Sequence, residues 1–205
     1  MKKSFIILLC ISMPCCLLAQ ESLTEEPAKR KELGLTFRNF DSFGLTFRTG
    51  TETALWRFNT IFIGGSSLES IADSVYDKQS NSGISIQAGK EFRKLMANNF
   101  ELRFGVDVSF TYSKYKSEYS SNISDYFRFS ERITYTPGLS LVFGLNYVLN
   151  SNLVIGAELL PTVSYSTGTS TDIDSYTWQE VKSDVSGFSY GLSNSSVLLS
   201  LAYRF

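Results

Sequence analysis

Over residues 100–112 the chain alternates without a break. Phe100, Leu102, Phe104, Val106, Val108, Phe110 and Tyr112 are apolar or aromatic, and Glu101, Arg103, Gly105, Asp107, Ser109 and Thr111 stand between them. A period of two puts one set on each face of a β-strand; a helix would scatter the same residues around its circumference. The pattern recurs. Ile133, Tyr135, Leu139, Leu141, Phe143, Leu145 and Tyr147 share one parity, opposite Thr134, Thr136, Gly138, Ser140, Gly144 and Asn146. Ile155, Ala157, Leu159 and Val163 oppose Gly156, Glu158, Thr162 and Ser164, and Val197, Leu199, Leu201, Tyr203 and Phe205 oppose Ser196, Ser200 and Arg204. Shorter runs lie at Trp56, Phe58 and Phe62 and at Ile84, Ile86 and Ala88.

These runs predict about eight strands, at 33–39, 43–49, 54–65, 82–92, 99–115, 126–149, 153–168 and 186–205. Gly34-Leu35-Thr36-Phe37-Arg38 repeats as Gly44-Leu45-Thr46-Phe47-Arg48. A three-residue turn at Phe40, Asp41 and Ser42 keeps both leucines and both phenylalanines on one face and Asp41 off it. The same parity argument places a turn at Asn150, Ser151 and Asn152. Pro137 and Pro161 suit central strands poorly, so an interruption is expected within 126–149. The parity shift at Asn194, Ser195 and Ser196 reads as a bulge. Segments 66–81, 116–125 and 169–185 are long and polar, whereas those at 50–53, 93–98 and 150–152 are short. Long loops on one rim and short turns on the other predict a transmembrane, antiparallel up-and-down β-barrel, all-β, over residues 33–205.

A soluble barrel would turn its apolar face inward; a membrane barrel inverts it. Here the polar face carries Arg57, Glu101, Arg103, Asp107 and Glu158 deep within strands, among Gly, Ser and Thr. That is a narrow polar interior. Arg38, Arg48, Arg57 and Arg103 can pair there with Glu91, Glu101, Asp107 and Glu158, because an unpaired charge in a low-dielectric interior is costly. An eight-stranded interior is just wide enough to be filled by side chains. The expectation is a plugged lumen, with a narrow channel for small solutes or ions as the alternative. Aromatic residues at strand ends (Tyr112, Tyr115, Tyr119, Phe127, Phe129, Tyr135, Tyr147, Tyr165, Trp178) read as interfacial girdles rather than sugar platforms.

Composition sharpens this reading. The hydrophobic share is only 43 %, because alternate residues average out, and the formal net charge of −1 is no nucleic-acid footprint. No histidine is present, which removes the commonest general base and metal ligand. No catalytic residue and no cofactor is therefore assigned, although the acids Glu69, Asp73, Asp77, Asp172, Asp174, Glu180 and Asp184 of the long segments raise the thought of a cation. Their spacing fits no EF-hand loop, and solvated loops are the plainer account. Lys2 and Lys3, an apolar run and Ala19-Gln20 predict a cleaved signal peptide over 1–19. Cys10, Cys15 and Cys16 all fall within it, so the exported chain has no thiol chemistry. Residues 20–32 read as a flexible lead-in.

The last residues, Leu201, Tyr203 and Phe205 after Val197 and Leu199, resemble the C-terminal assembly signal of Gram-negative outer-membrane barrels. Phe43-Gly44-Leu45-Thr46-Phe47-Arg48-Thr49-Gly50 followed by Leu55-Trp56-Arg57-Phe58 is similar to small porin-like barrels of the Bacteroidota. The resemblance implies outer-membrane location, lipopolysaccharide and outer-membrane lipid as neighbours, and handling by the barrel-assembly machinery. An extracellular ligand of the long loops is compatible with it, and a peptidoglycan-gripping domain after the barrel is not expected.

Overall fold

Ten β-strands account for almost all of the computed structural model, which describes residues 29–39, 42–72, 74–122, 126–175, 179–192 and 196–205. They are β1 (Arg30–Asn39), β2 (Ser42–Gly50), β3 (Ala54–Ala72), β4 (Val75–Ala97), β5 (Phe100–Ser121), β6 (Tyr126–Val148), β7 (Leu153–Leu159), β8 (Thr162–Asp174), β9 (Glu180–Gly191) and β10 (Val197–Arg204). Every pairing is antiparallel. The expected signal peptide and most of the expected lead-in, residues 40–41 of the first turn, Asp73, Trp178, Asn194 and Ser195 lie outside the described residues.

Strands β1 to β7 pair in sequence, β7 pairs β10, and β10 pairs β1, which closes a ring of eight. Lys31 and Phe205 exchange backbone hydrogen bonds of 3.1 and 2.9 Å at the seam. β8 continues β7 beyond Leu160 and Pro161, and β9 stands before β10, so each pair forms one long interrupted strand. Pro161 sits in the break rather than in the ladder. The break stays bonded: the Leu160 N–H donates to the Ser196 carbonyl at 2.7 Å and the Leu141 N–H to the Pro161 carbonyl at 2.9 Å. Pro137, in contrast, does not interrupt β6. It lies where pairing to β8 lapses between Tyr135 and Gly138, so its missing N–H costs no ladder bond there.

The pairing register fixes the barrel's shape. From Leu35 one route around the ring reaches Phe110 through Leu45, Thr60 and Ile86. The other reaches Phe100 through Leu201, Ile155 and Tyr147. Both residues are on β5, ten positions apart. With ~3.4 Å per residue and ~4.8 Å between strands, that stagger over eight strands tilts them by about 40° and gives a backbone radius of about 8 Å.

Two expectations are corrected. The supposed long loops at 66–81, 116–125 and 169–185 are mostly strand: β3 and β4 stay paired as far as Ala72↔Val75, β5 and β6 as far as Ser121↔Tyr126, and β8 and β9 as far as Ile173↔Glu180. β1 begins at Arg30, inside the supposed lead-in. The upper halves of β3, β4, β5 and β6, with β8 and β9, rise as a tall wall on one rim. The short β1–β2 hairpin leaves the opposite side low.

Candidate functional site

Inward side chains come from alternate positions of every ring strand, and the lower half of the lumen is ionic. Arg48, Arg57, Arg103, Glu32, Glu91 and Asp107 show no solvent exposure, and Glu158 almost none. Glu158 is the hub: its carboxylate lies 3.1 Å from Arg48, 2.6 Å from Arg57 and 2.8 Å from Arg103. Glu91 accepts a hydrogen bond from Arg93 Nε at 2.7 Å and pairs with Arg57 at 3.3 Å. Arg93 also reaches Glu32 at 2.6 Å and Glu101 at 3.3 Å. At the short-turn rim Arg204 bonds Glu32 at 2.9 Å and Glu101 at 3.0 Å, and Arg30 meets Glu101 at 3.3 Å.

The structure thus brings Arg57, Glu101, Arg103 and Glu158 into one network, with Arg48 and Glu91. Asp107 is its loosest member. Arg57 Nε lies 3.3 Å from it, yet neither of its carboxylate oxygens makes a hydrogen bond. Arg38 lies higher up, where it lines a cavity. Sequence reasoning missed Glu32, Arg93, Arg30 and Arg204 as members. The signal for Arg93 is present, because it continues the polar parity of Gln87, Gly89 and Glu91; a strand ended at residue 92 leaves it just outside.

Glycines make room for these long side chains. A Cβ on Gly156 would stand 2.9 Å from Arg103 Nη2 and 2.7 Å from Asn146 Oδ1, and one on Gly144 would stand 3.4 Å from Arg103 Nη2. In a barrel this narrow, not every inward position can carry a side chain.

Above the ions, Val142, Leu160 and Leu198 form a small buried apolar cluster. Beyond it the lumen widens into a cavity of about 300 Å³, lined mainly by hydroxyl groups. Cross-strand hydroxyl pairs band the inner wall at this height: Ser85 with Thr111 at 2.9 Å, Ser140 with Thr162 at 2.7 Å, and Ser164 with Ser189 at 2.8 Å. Among the described residues no group of acids, cysteines or histidines is placed to hold a metal ion.

The outer surface is the reverse of a soluble protein's. Leu102, Phe104, Val106, Leu139, Leu141, Phe143, Leu145, Leu199 and Leu201 are all exposed. Residues 100–110 of β5 run ~33 Å along the strand, and the tilt reduces this to ~25 Å of height, the thickness of an outer-membrane apolar band. Phe100 with Tyr147, and Tyr203 with Phe205, place rings at the lower edge; Phe110, Tyr112 and Tyr135 cluster at the upper one. Leu201, Tyr203 and Phe205 face outward on the seam strand. Tyr115 and Tyr119 do not belong to a girdle. They sit on the inner parity of the wall, above the band, where Tyr119 meets Tyr126 at 5.9 Å.

In sequence the chain matches no protein-family profile and no curated protein. In structure it is similar to a major outer-membrane protein of Thermus thermophilus, at TM-score 0.42 and 15 % identity, over 87 % of this chain and 100 % of that one. It is similar also to CarO of Acinetobacter baumannii (0.36, 10 %, over 86 % and 95 %) and to Ail, the attachment invasion locus protein of Yersinia pestis (0.33, 13 %, over 88 % and 100 %). Its ring closure and burial pattern make the chain an antiparallel barrel of the outer-membrane type, apolar outside and ionised within.

Proposed function

We propose that the chain is a non-enzymatic integral protein of a Gram-negative outer membrane, closed through its own lumen, with the tall wall displayed outside as an interaction surface. The observation that carries this is the ionic cluster. Among the described residues at mid-barrel, Arg48, Arg57, Arg103 and Glu91 are fully buried and Glu158 almost so, so a hydrated solute crossing there meets buried ion pairs that it would have to break. The missing histidine supports a role other than hydrolysis. Residues 1–19 serve export, the outward Leu201, Tyr203 and Phe205 serve recognition by the assembly machinery, and lipopolysaccharide surrounds the apolar band.

Placement is testable with cysteines, since the chain's own three lie at positions 10, 15 and 16. Ser120→Cys, on the wall, is expected to react with a membrane-impermeant maleimide on intact cells, and Ser151→Cys, in a short turn, only after lysis. Equal labelling of both on intact cells, or recovery in the soluble periplasmic fraction, would overturn the placement.

A further inference from the structure

The barrel has a notch in its side. Among the described residues, β1 pairs β10 only as far as Phe37↔Leu199, and β9 pairs β8 alone. β2 pairs β3 only as far as Leu45↔Thr60, whereas β3 continues to Ala72 on β4. Among the described residues, the edge of β9 and the upper edge of β3 therefore face each other across the space that longer β1 and β2 strands would fill. Two absent strands mean three inter-strand spacings, or about 14 Å.

The height of the notch follows from the register. With a 40° tilt each residue climbs ~2.6 Å and each step around the ring ~3.1 Å. Measured from Leu35, the hairpin tip at Asn39 and Ser42 then stands ~11 Å up and Phe110, at the upper edge of the apolar band, ~13 Å up. The notch opens where the apolar band gives way to lipid headgroups.

Behind it lies the hydroxyl cavity. Its lining includes Ser85, Ser109, Thr111, Thr136, Thr162 and Ser189, together with Arg38 of β1 and Tyr190, Gly191 and Leu192 at the end of β9, the two strands that border the notch. Tyr190 is 80 % exposed and Leu192 65 %. Each hydroxyl can both donate and accept, so after pairing with its neighbour it keeps capacity for a polyol. Arg38 lines the same cavity and brings a positive charge beside it. Outside, Phe37 and Phe43 continue the apolar surface downward for a hydrocarbon chain. The volume suits a small headgroup, at the lower end of the ~300–1,000 Å³ range of ligand pockets.

We infer that this cavity binds the sugar headgroup of an outer-leaflet amphiphile, admitted sideways through the notch. The inference rests on the membrane placement proposed above and is independent of whether the lumen conducts.

The test follows amide chemical shifts of Ser109, Thr136 and Ser189 in the folded, micelle-embedded protein. The probes are a short-chain diacylated glucosamine 1-phosphate, free glucosamine 1-phosphate, and a short-chain phosphatidylcholine. The glycolipid is expected to shift these resonances saturably, the free sugar phosphate to bind at least about tenfold more weakly, and phosphatidylcholine, whose headgroup has no hydroxyl, to leave the cavity unmoved. Ser109→Phe, which fills the cavity, is expected to abolish the response. Thr136→Val, which removes one hydroxyl at little change in volume, is expected to weaken it, and serves alone if the larger side chain prevents folding. Equal binding of the free sugar phosphate would overturn sideways entry, equal shifts with phosphatidylcholine would overturn sugar recognition, and no shifts at all would overturn the site. Heat-modifiable gel mobility of the same samples separates these outcomes from failure of the barrel itself.

Discussion

Glu158 and Asp107 are both acids of the inner face, but their surroundings give them different weight. Glu158 lies within 3.1 Å of three arginines, whereas Asp107 accepts no hydrogen bond. Neutralising Glu158 strands buried guanidinium groups, and Glu158→Gln is expected to cost ~3–5 kcal/mol in a denaturant titration of the folded barrel. Asp107→Asn breaks no hydrogen bond and leaves Arg57 its pairs with Glu91 and Glu158, and is expected to cost under ~1 kcal/mol. Equal losses would show that the network's geometry does not set its energetics. Gly156→Val tests the same packing from the backbone side. Its branched side chain would occupy the place of the Arg103 guanidinium, and overpacking of this kind costs ~1–3 kcal/mol; a stability unchanged from the parent would contradict the crowding described. The five acids and bases singled out from sequence were visible because a charge inside a period-two strand has few places to go. Glu32 and Arg204 were hidden because they sit at strand ends, where alternation alone does not distinguish lumen from rim.

At the scale of the strand, alternation marks the membrane-facing part and stops marking it above. Along β5 the exposed–buried rhythm is sharp from Leu102 to Val108 and dissolves beyond Thr111 into half-buried positions. Both faces of the wall meet water there, so no apolar parity is selected, and Ser, Tyr and Lys read as loop although the backbone ladder continues. Of the six strands in these three pairs, β3, β4, β5, β8 and β9 consequently extend well past their expected ends, whereas β6 begins where expected. The wall adds pairing but no lipid-facing surface. Replacing residues 66–81 by a two-residue turn, at the paired positions Gly65↔Ser82, is expected to leave heat-modifiable mobility intact. Loss of folding would mean that the wall nucleates or stabilises the barrel below. Pro137 teaches a related point. A proline in a central strand predicts an interruption, and none occurs, because pairing to β8 lapses just there.

The whole molecule is an inverted core. Its apolar residues surround the barrel and its charges fill the centre, so a hydrophobic share of 43 % describes neither part. A charge turned to the lipid at mid-membrane costs ~2–4 kcal/mol, which explains why Arg48, Arg57 and Arg103 share one parity with their acids. Ring closure and inside-out polarity were legible in the sequence, since both follow from period two and from charge placement. The notch was not, because it depends on how far neighbouring strands rise beyond the band. The central claim is that the ionic cluster closes the lumen, and single-channel recording of the folded protein in planar bilayers tests it most directly. The structure predicts a flat trace with no discrete openings under applied voltage; reproducible, stepwise conductance from the purified monomer would contradict it.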